Sequence, residues 1–92
     1  MTIDELYKII KDRQQKMPEG SYVTSLFKAG QDRIIQKVGE EATEVVIASK
    51  NKNKQEVISE FADLWFHLLI LLASLNIDPK DILDELDKRS KS

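Results

Sequence analysis

The chain's 92 residues are 41% hydrophobic and 33% charged, with 3 glycines, 2 prolines and no cysteine, which suits one domain over residues 1–92. That composition excludes a disulfide framework, a zinc–thiolate site and a disordered chain. A formal net charge of -2 leaves no broad basic surface to attract nucleic acid, and a domain this small commonly leans on a second subunit for part of its core.

In chain order, Thr2 followed by Glu5 has the spacing of a capping box, and Ile3, Leu6, Ile9 and Ile10 continue at helical intervals to about Lys16. Pro18, Gly20 and Gly30 mark a polar loop with only a short stretch, Ser25 to Ala29, between them. From Asp32, the residues Ile35, Val38, Ala42, Val45 and Val46 predict a long amphipathic helix, which the apolar-free run Lys50 to Lys54 ends in a tight turn. A third helix from about Gln55 carries Val57, Ile58, Phe61, Leu64, Trp65, Leu68 and Leu72, apolar almost all round in its second half. Asn76 closes it, and Asp78 as N-cap with Pro79 at the first helical position opens a fourth helix bearing Ile82, Leu83 and Leu86. The tail from Lys88 to Ser92 is expected to fray. The expected fold is all-α, a four-helix bundle-like domain completed by a second copy of the chain. The Leu64 to Leu75 run, interrupted by His67, is too short for a bilayer of roughly 30 Å, so no membrane partner is expected. The opening residues carry no basic stretch followed by an apolar one, so the expected compartment is cytoplasmic.

Two acidic pairs carry the chemistry. Glu41 and Glu44 share one face of the second helix, and Glu60 and Asp63 share one face of the third. Lys52 is the sequence midpoint both between Glu44 and Glu60 and between Glu41 and Asp63, so a hairpin about Lys52 levels the two pairs and gathers four carboxylates. Charges so gathered repel strongly even at an effective dielectric of about 20, and they must take up protons or bind cations. All-oxygen ligands suit magnesium, with manganese possible. A di-iron bundle needs Glu-x-x-His on two helices, and the single histidine, His67, follows Asp63 by four. A lone acidic pair is more often a solvated face. Here the mirror register, and Glu60 and Asp63 set beside Phe61, Leu64 and Trp65, argue for metal.

The run Lys37-Val38-Gly39-Glu40-Glu41-Ala42-x-Glu44, followed by Glu60-x-Ala62-Asp63-Leu64-x-x-His67, resembles the E-E-x-x-E, E-x-x-D signature of all-alpha NTP pyrophosphatases. Gly20-Ser21-Tyr22-x-x-x-Leu26, the entry from Gly30 to Lys37 and Leu86-x-x-Arg89 narrow the resemblance to the phosphoribosyl-ATP pyrophosphatase family over nearly the whole chain. The resemblance implies a homodimer with a small-molecule nucleotide substrate. Its reaction would be magnesium-dependent hydrolysis of phosphoribosyl-ATP to phosphoribosyl-AMP and pyrophosphate, the second step of histidine biosynthesis, in the form not fused to a cyclohydrolase. It assigns Glu41, Glu44, Glu60 and Asp63 as metal ligands, and Glu40 as a further ligand or a water-orienting base. Lys37 and Arg33 are implied to contact the triphosphate, Arg13 and Lys28 are further cationic candidates, and Ser21 and Tyr22 are implied to touch substrate from the loop. Trp65-Phe66 departs from the aliphatic residue and tyrosine more usual in that family.

Outside the signature, His67 is expected to be a core residue that orients Asp63 one turn away, level with Lys37 across the hairpin. Trp65, Leu68, Leu69 and Leu72 are expected to be core or dimer interface. The competing functions are a house-cleaning pyrophosphatase acting on other NTPs or dNTPs, and a non-catalytic helical dimer serving as an interaction module.

Overall fold

A computed structural model describes residues 1–91 as five α-helices. Helix α1, Ile3–Lys16, starts on the expected capping box: the Thr2 hydroxyl accepts the Glu5 N–H at 3.0 Å and the Glu5 carboxylate accepts the Thr2 N–H at 3.2 Å. It ends at Met17 in the left-handed region, whose N–H donates to the Arg13 carbonyl.

The expected loop contains a helix instead, α2, Tyr22–Ala29. The breakers Gly20 and Gly30 flank this segment rather than interrupt it. Ser21 caps it by accepting the Thr24 N–H at 3.2 Å, and Val23, Thr24 and Leu26 turn one face inward. The described residues therefore form five helices rather than the four expected. Gly30, at φ 103° and ψ 169°, joins α2 to α3 through a backbone conformation that only glycine adopts readily.

Helix α3, Gln31–Asn51, and helix α4, Lys54–Ser74, form the expected hairpin, turning on Lys52 at φ 60°. The Asn53 side chain accepts the Glu56 N–H to start α4. Helix α5, Pro79–Ser90, opens on Asp78 and Pro79 as expected. Lys88, Arg89 and Ser90 belong to this helix, so the expected fraying does not begin at Lys88, and Ser92 lies outside the described residues.

Packing is most extensive between α3 and α4; α1 lies across α4, α2 bridges α1 and α3, and α5 touches α1 only lightly. The core is Tyr7 and Ile10 of α1, Val23 and Leu26 of α2, Ile34 of α3, and Leu69, Ile70 and Ala73 of α4. The Tyr7 hydroxyl donates to the Ile77 carbonyl at 2.8 Å, fastening the α4–α5 turn to α1. Trp65 is not in this core: it is 54% exposed, beside α5 residues that also leave Ile82, Leu83 and Leu86 exposed. Helix α4 has 21 residues and is long and apolar enough to cross a membrane, further than the Leu64 to Leu75 run suggested. Its acids Glu56, Glu60 and Asp63 and its packing on α1 and α3 instead make it the central helix of the bundle.

The α2–α3 joint gives a test of this layout. Gly30→Ala is expected to cost about 1 to 3 kcal/mol in urea or thermal unfolding, because an alanine cannot hold that φ and ψ without strain. An unchanged midpoint would show that α2 does not depend on this joint.

Candidate active site

Antiparallel pairing of α3 and α4 brings the side chains of Glu41, Glu60 and Asp63 together, each offering an oxygen within 4.8 Å of the other two. Glu41 and Glu60 are half-buried and Asp63 is exposed. Phe61 and Trp65 are themselves exposed, so these acids meet less apolar surroundings than their sequence neighbours suggested. Glu44 is exposed and outside the group of three, yet its charge reaches Glu60. Partial burial, and then the charges of Asp63, Glu44, Glu41 and Glu56, raise the Glu60 carboxyl above the usual range.

Cations sit on one side only. Lys37 Nζ lies 3.2 Å from Glu41 Oε1 and 3.6 Å from Glu40 Oε2, and Arg33 Nη1 lies 3.5 Å from Glu40 Oε1. The hydrogen bond to Glu41 is the main cause that lifts the Lys37 ammonium above its ordinary range. Among the described residues, no lysine or arginine pairs with Glu60 or Asp63. This donor set fits a hard divalent cation: oxygen ligands from two helices, two of the three half-buried, with uncompensated charge at Glu60.

His67 is 4% exposed and bonded at both ring nitrogens. Its Nδ1 lies 2.6 Å from the Asp63 carbonyl, which can only accept, so Nδ1 carries the proton. In the neutral ring Nε2 then accepts from the Tyr22 hydroxyl at 2.7 Å. His67 thus touches the Asp63 backbone rather than its carboxylate, and it fastens α2 to α4. Phe66 flanks the pair, its ring 6.3 Å from that of Tyr22 and 5.7 Å from that of His67. Lys37 feels Tyr22 electrostatically, so the two candidates share one neighbourhood. Ser21 and Lys28 line a cavity that Tyr22 also lines. Arg13 pairs with its neighbour Asp12, its guanidinium 3.1 Å away, and does not line that cavity.

The Tyr22–His67 bond and the buried Thr24 were not anticipated from sequence. The usable signal was Ser21 three residues before Thr24, with Val23, Leu26 and Phe27 at helical spacing after the cap.

Residues 3–90 match the family model described as phosphoribosyl-ATP pyrophosphohydrolase. The chain belongs to that family. It is 51% identical over 87 residues to the phosphoribosyl-ATP pyrophosphatase of Pelotomaculum thermopropionicum, covering 95% of this chain and 89% of that protein. The phosphoribosyl-ATP pyrophosphatase of Sulfolobus acidocaldarius is 48% identical over 89 residues, covering 97% of this chain and 94% of its own. A histidine biosynthesis bifunctional protein of Bacillus subtilis is 51% identical over 87 residues, and there the match spans 42% of the longer protein.

For this member of the phosphoribosyl-ATP pyrophosphohydrolase family, Glu60→Gln separates stability from ligation. At neutral pH the substitution removes a charge that its neighbours disfavour, so the metal-free melting temperature is expected to hold or rise. The parent is expected to melt at a higher temperature with magnesium or manganese, and the variant is expected to lose that increase. A variant still stabilised by the cation as strongly as the parent would remove Glu60 from the ligand set.

Proposed function

We infer that this chain hydrolyses phosphoribosyl-ATP to phosphoribosyl-AMP and pyrophosphate, the activity its family's name denotes, as a step of histidine biosynthesis in the cytoplasm. The observation that carries the reading is the convergence of Glu41, Glu60 and Asp63 within 4.8 Å on a hairpin where, among the described residues, no lysine or arginine pairs with the last two. These three residues would hold magnesium, or manganese, and Glu44 would complete the set by turning its exposed side chain toward them. When bound, the cation would supply charge neutralisation for the phosphate oxygens and lower the pKa of nearby water.

The chain's own groups then have defined work. Arg33 and Lys37, one turn apart on α3, present two cations beside the acids and bind the triphosphate oxygens, releasing some of their hold on Glu40 and Glu41 as they do so. Glu40, paired to both cations, keeps them pointed at the site and accepts a hydrogen bond from the attacking water. No nucleophilic side chain is required, because water attacks a phosphorus and pyrophosphate leaves.

The assay is pyrophosphate release from phosphoribosyl-ATP, with magnesium and with chelator, beside ATP and a panel of dNTPs. Magnesium-dependent release from phosphoribosyl-ATP in preference to the others is expected. Glu41→Gln and Asp63→Asn are each expected to lower kcat/KM roughly a hundredfold or more while keeping the helical circular-dichroism spectrum. Release from dNTPs alone would replace this substrate by that of a house-cleaning enzyme, and full activity in either variant would contradict the ligand assignment.

The same reading includes a homodimer. Ile3, Trp65, Leu68, Leu72, Ile82 and Leu83 are among the residues lining a wholly apolar groove of about 220 Å³ between α4 and α5. A contiguous apolar surface on so small a domain is what a second copy of the same chain buries. Sedimentation is expected to show a dimer, with Trp65→Asp shifting it to monomer. A monomeric parent protein at assay concentrations would refute the dimer, and Trp65→Ala is then expected to cost little, because its ring is half in solvent.

A further inference from the structure

A second cavity opens at the start of α2, about 540 Å³ in volume and lined by Glu19, Ser21, Tyr22, Thr24, Ser25 and Lys28 together with Gly20. That volume is within the usual range of small-molecule sites. We propose that this cavity binds the phosphoribosyl end of the substrate, its 5-phosphate lying at the N-terminus of α2, and that it thereby selects phosphoribosyl-ATP over ordinary nucleoside triphosphates. The inference rests on the substrate named above and adds where its second phosphate-bearing end is held.

Four features of the cavity agree on this ligand. At the helix start, Ser21 takes the Thr24 N–H on its hydroxyl and the Ser25 N–H on its carbonyl, which leaves the N–H of Tyr22, a cavity-lining residue, without a partner among the described residues and free for an anion. Lys28 lines the same cavity two turns along and makes no ion pair among the described residues, so its charge is available. Thr24 also lines the cavity, 3% exposed, and its hydroxyl is buried without a hydrogen-bond partner, a penalty that turning the side chain toward a ligand oxygen would relieve. Glu19 repels a bare phosphate but accepts hydrogen bonds from sugar hydroxyls, so the mixed lining suits a phosphorylated pentose better than inorganic phosphate.

Tyr22 connects this cavity to the acids. It lines the cavity, and its hydroxyl reaches His67, which in turn holds the Asp63 carbonyl. A substrate with phosphates at both ends therefore spans Tyr22, the triphosphate on α3 and α4 and the pentose phosphate on α2. ATP and the dNTPs lack the second anchor.

The test is binding without turnover: metal-free titration of phosphoribosyl-AMP and of AMP into the isotope-labelled protein, followed by amide NMR, for the parent chain, Lys28→Met and Lys28→Arg. The parent is expected to prefer phosphoribosyl-AMP about tenfold or more, with amide shifts at residues 21–25 specific to that ligand. Lys28→Met is expected to reduce the preference to about threefold or less, and Lys28→Arg to retain it. Equal affinities in the parent, an unaltered preference in Lys28→Met, or shifts confined to the acidic residues would overturn the proposal. A chain that prefers phosphoribosyl-AMP yet releases no pyrophosphate would contradict the activity and uphold the cavity, whereas magnesium-dependent turnover with no preference would contradict the cavity alone.

Discussion

Like charges held together by two packed helices set the terms for the rest of the molecule. Glu41, Glu60 and Asp63 repel one another, and what keeps them adjacent is the apolar seam of the α3–α4 hairpin, with Ile34 and Ala48 on one arm and Leu69, Ile70 and Ala73 on the other. The hairpin's closure at Lys52 fixes the register, so displacement along either arm would separate the oxygens. A cation bound to the folded chain and not to the unfolded one would offset the repulsion and stabilise the fold by mass action.

The smallest helix connects that hairpin to its surroundings. Helix α2 buries Val23 and Leu26 in the core while Tyr22 reaches across to His67. A histidine in an apolar helix needs partners at both ring nitrogens, and here one is the Asp63 backbone and the other is the phenol. Local packing therefore positions a residue adjacent to the acids and couples the start of α2 to them. Gly30 allows this by turning the chain sharply enough for α2 to lie against both α1 and α3.

The hairpin and its acids were legible because helical periodicity and a symmetric count about Lys52 are properties of one chain read in order. The capping residues Thr2 and Asp78 were equally plain, since each acts on its neighbours three or fewer residues away. Helix α2 was obscured by the glycines and proline around it: the same residues that read as loop markers are its boundaries. For Trp65 the sequence left core and interface open, because periodicity shows that a face is apolar without showing what covers it, and in one chain that face stays open beside α5. Glu44 shows a further limit. The count brings it level with Glu60, but rotation about the helix axis leaves its carboxylate outside the group of three while its charge is still felt.

The convergence of carboxylates on a cation is the claim from which the functional account follows, and anomalous diffraction from manganese-soaked crystals tests it most directly. The account predicts a peak bounded by Glu41, Glu60 and Asp63, about 2 Å from an oxygen of each ligand, with Glu44 turned toward it. Saturating manganese with no peak between α3 and α4, or a peak held by other residues, would contradict it.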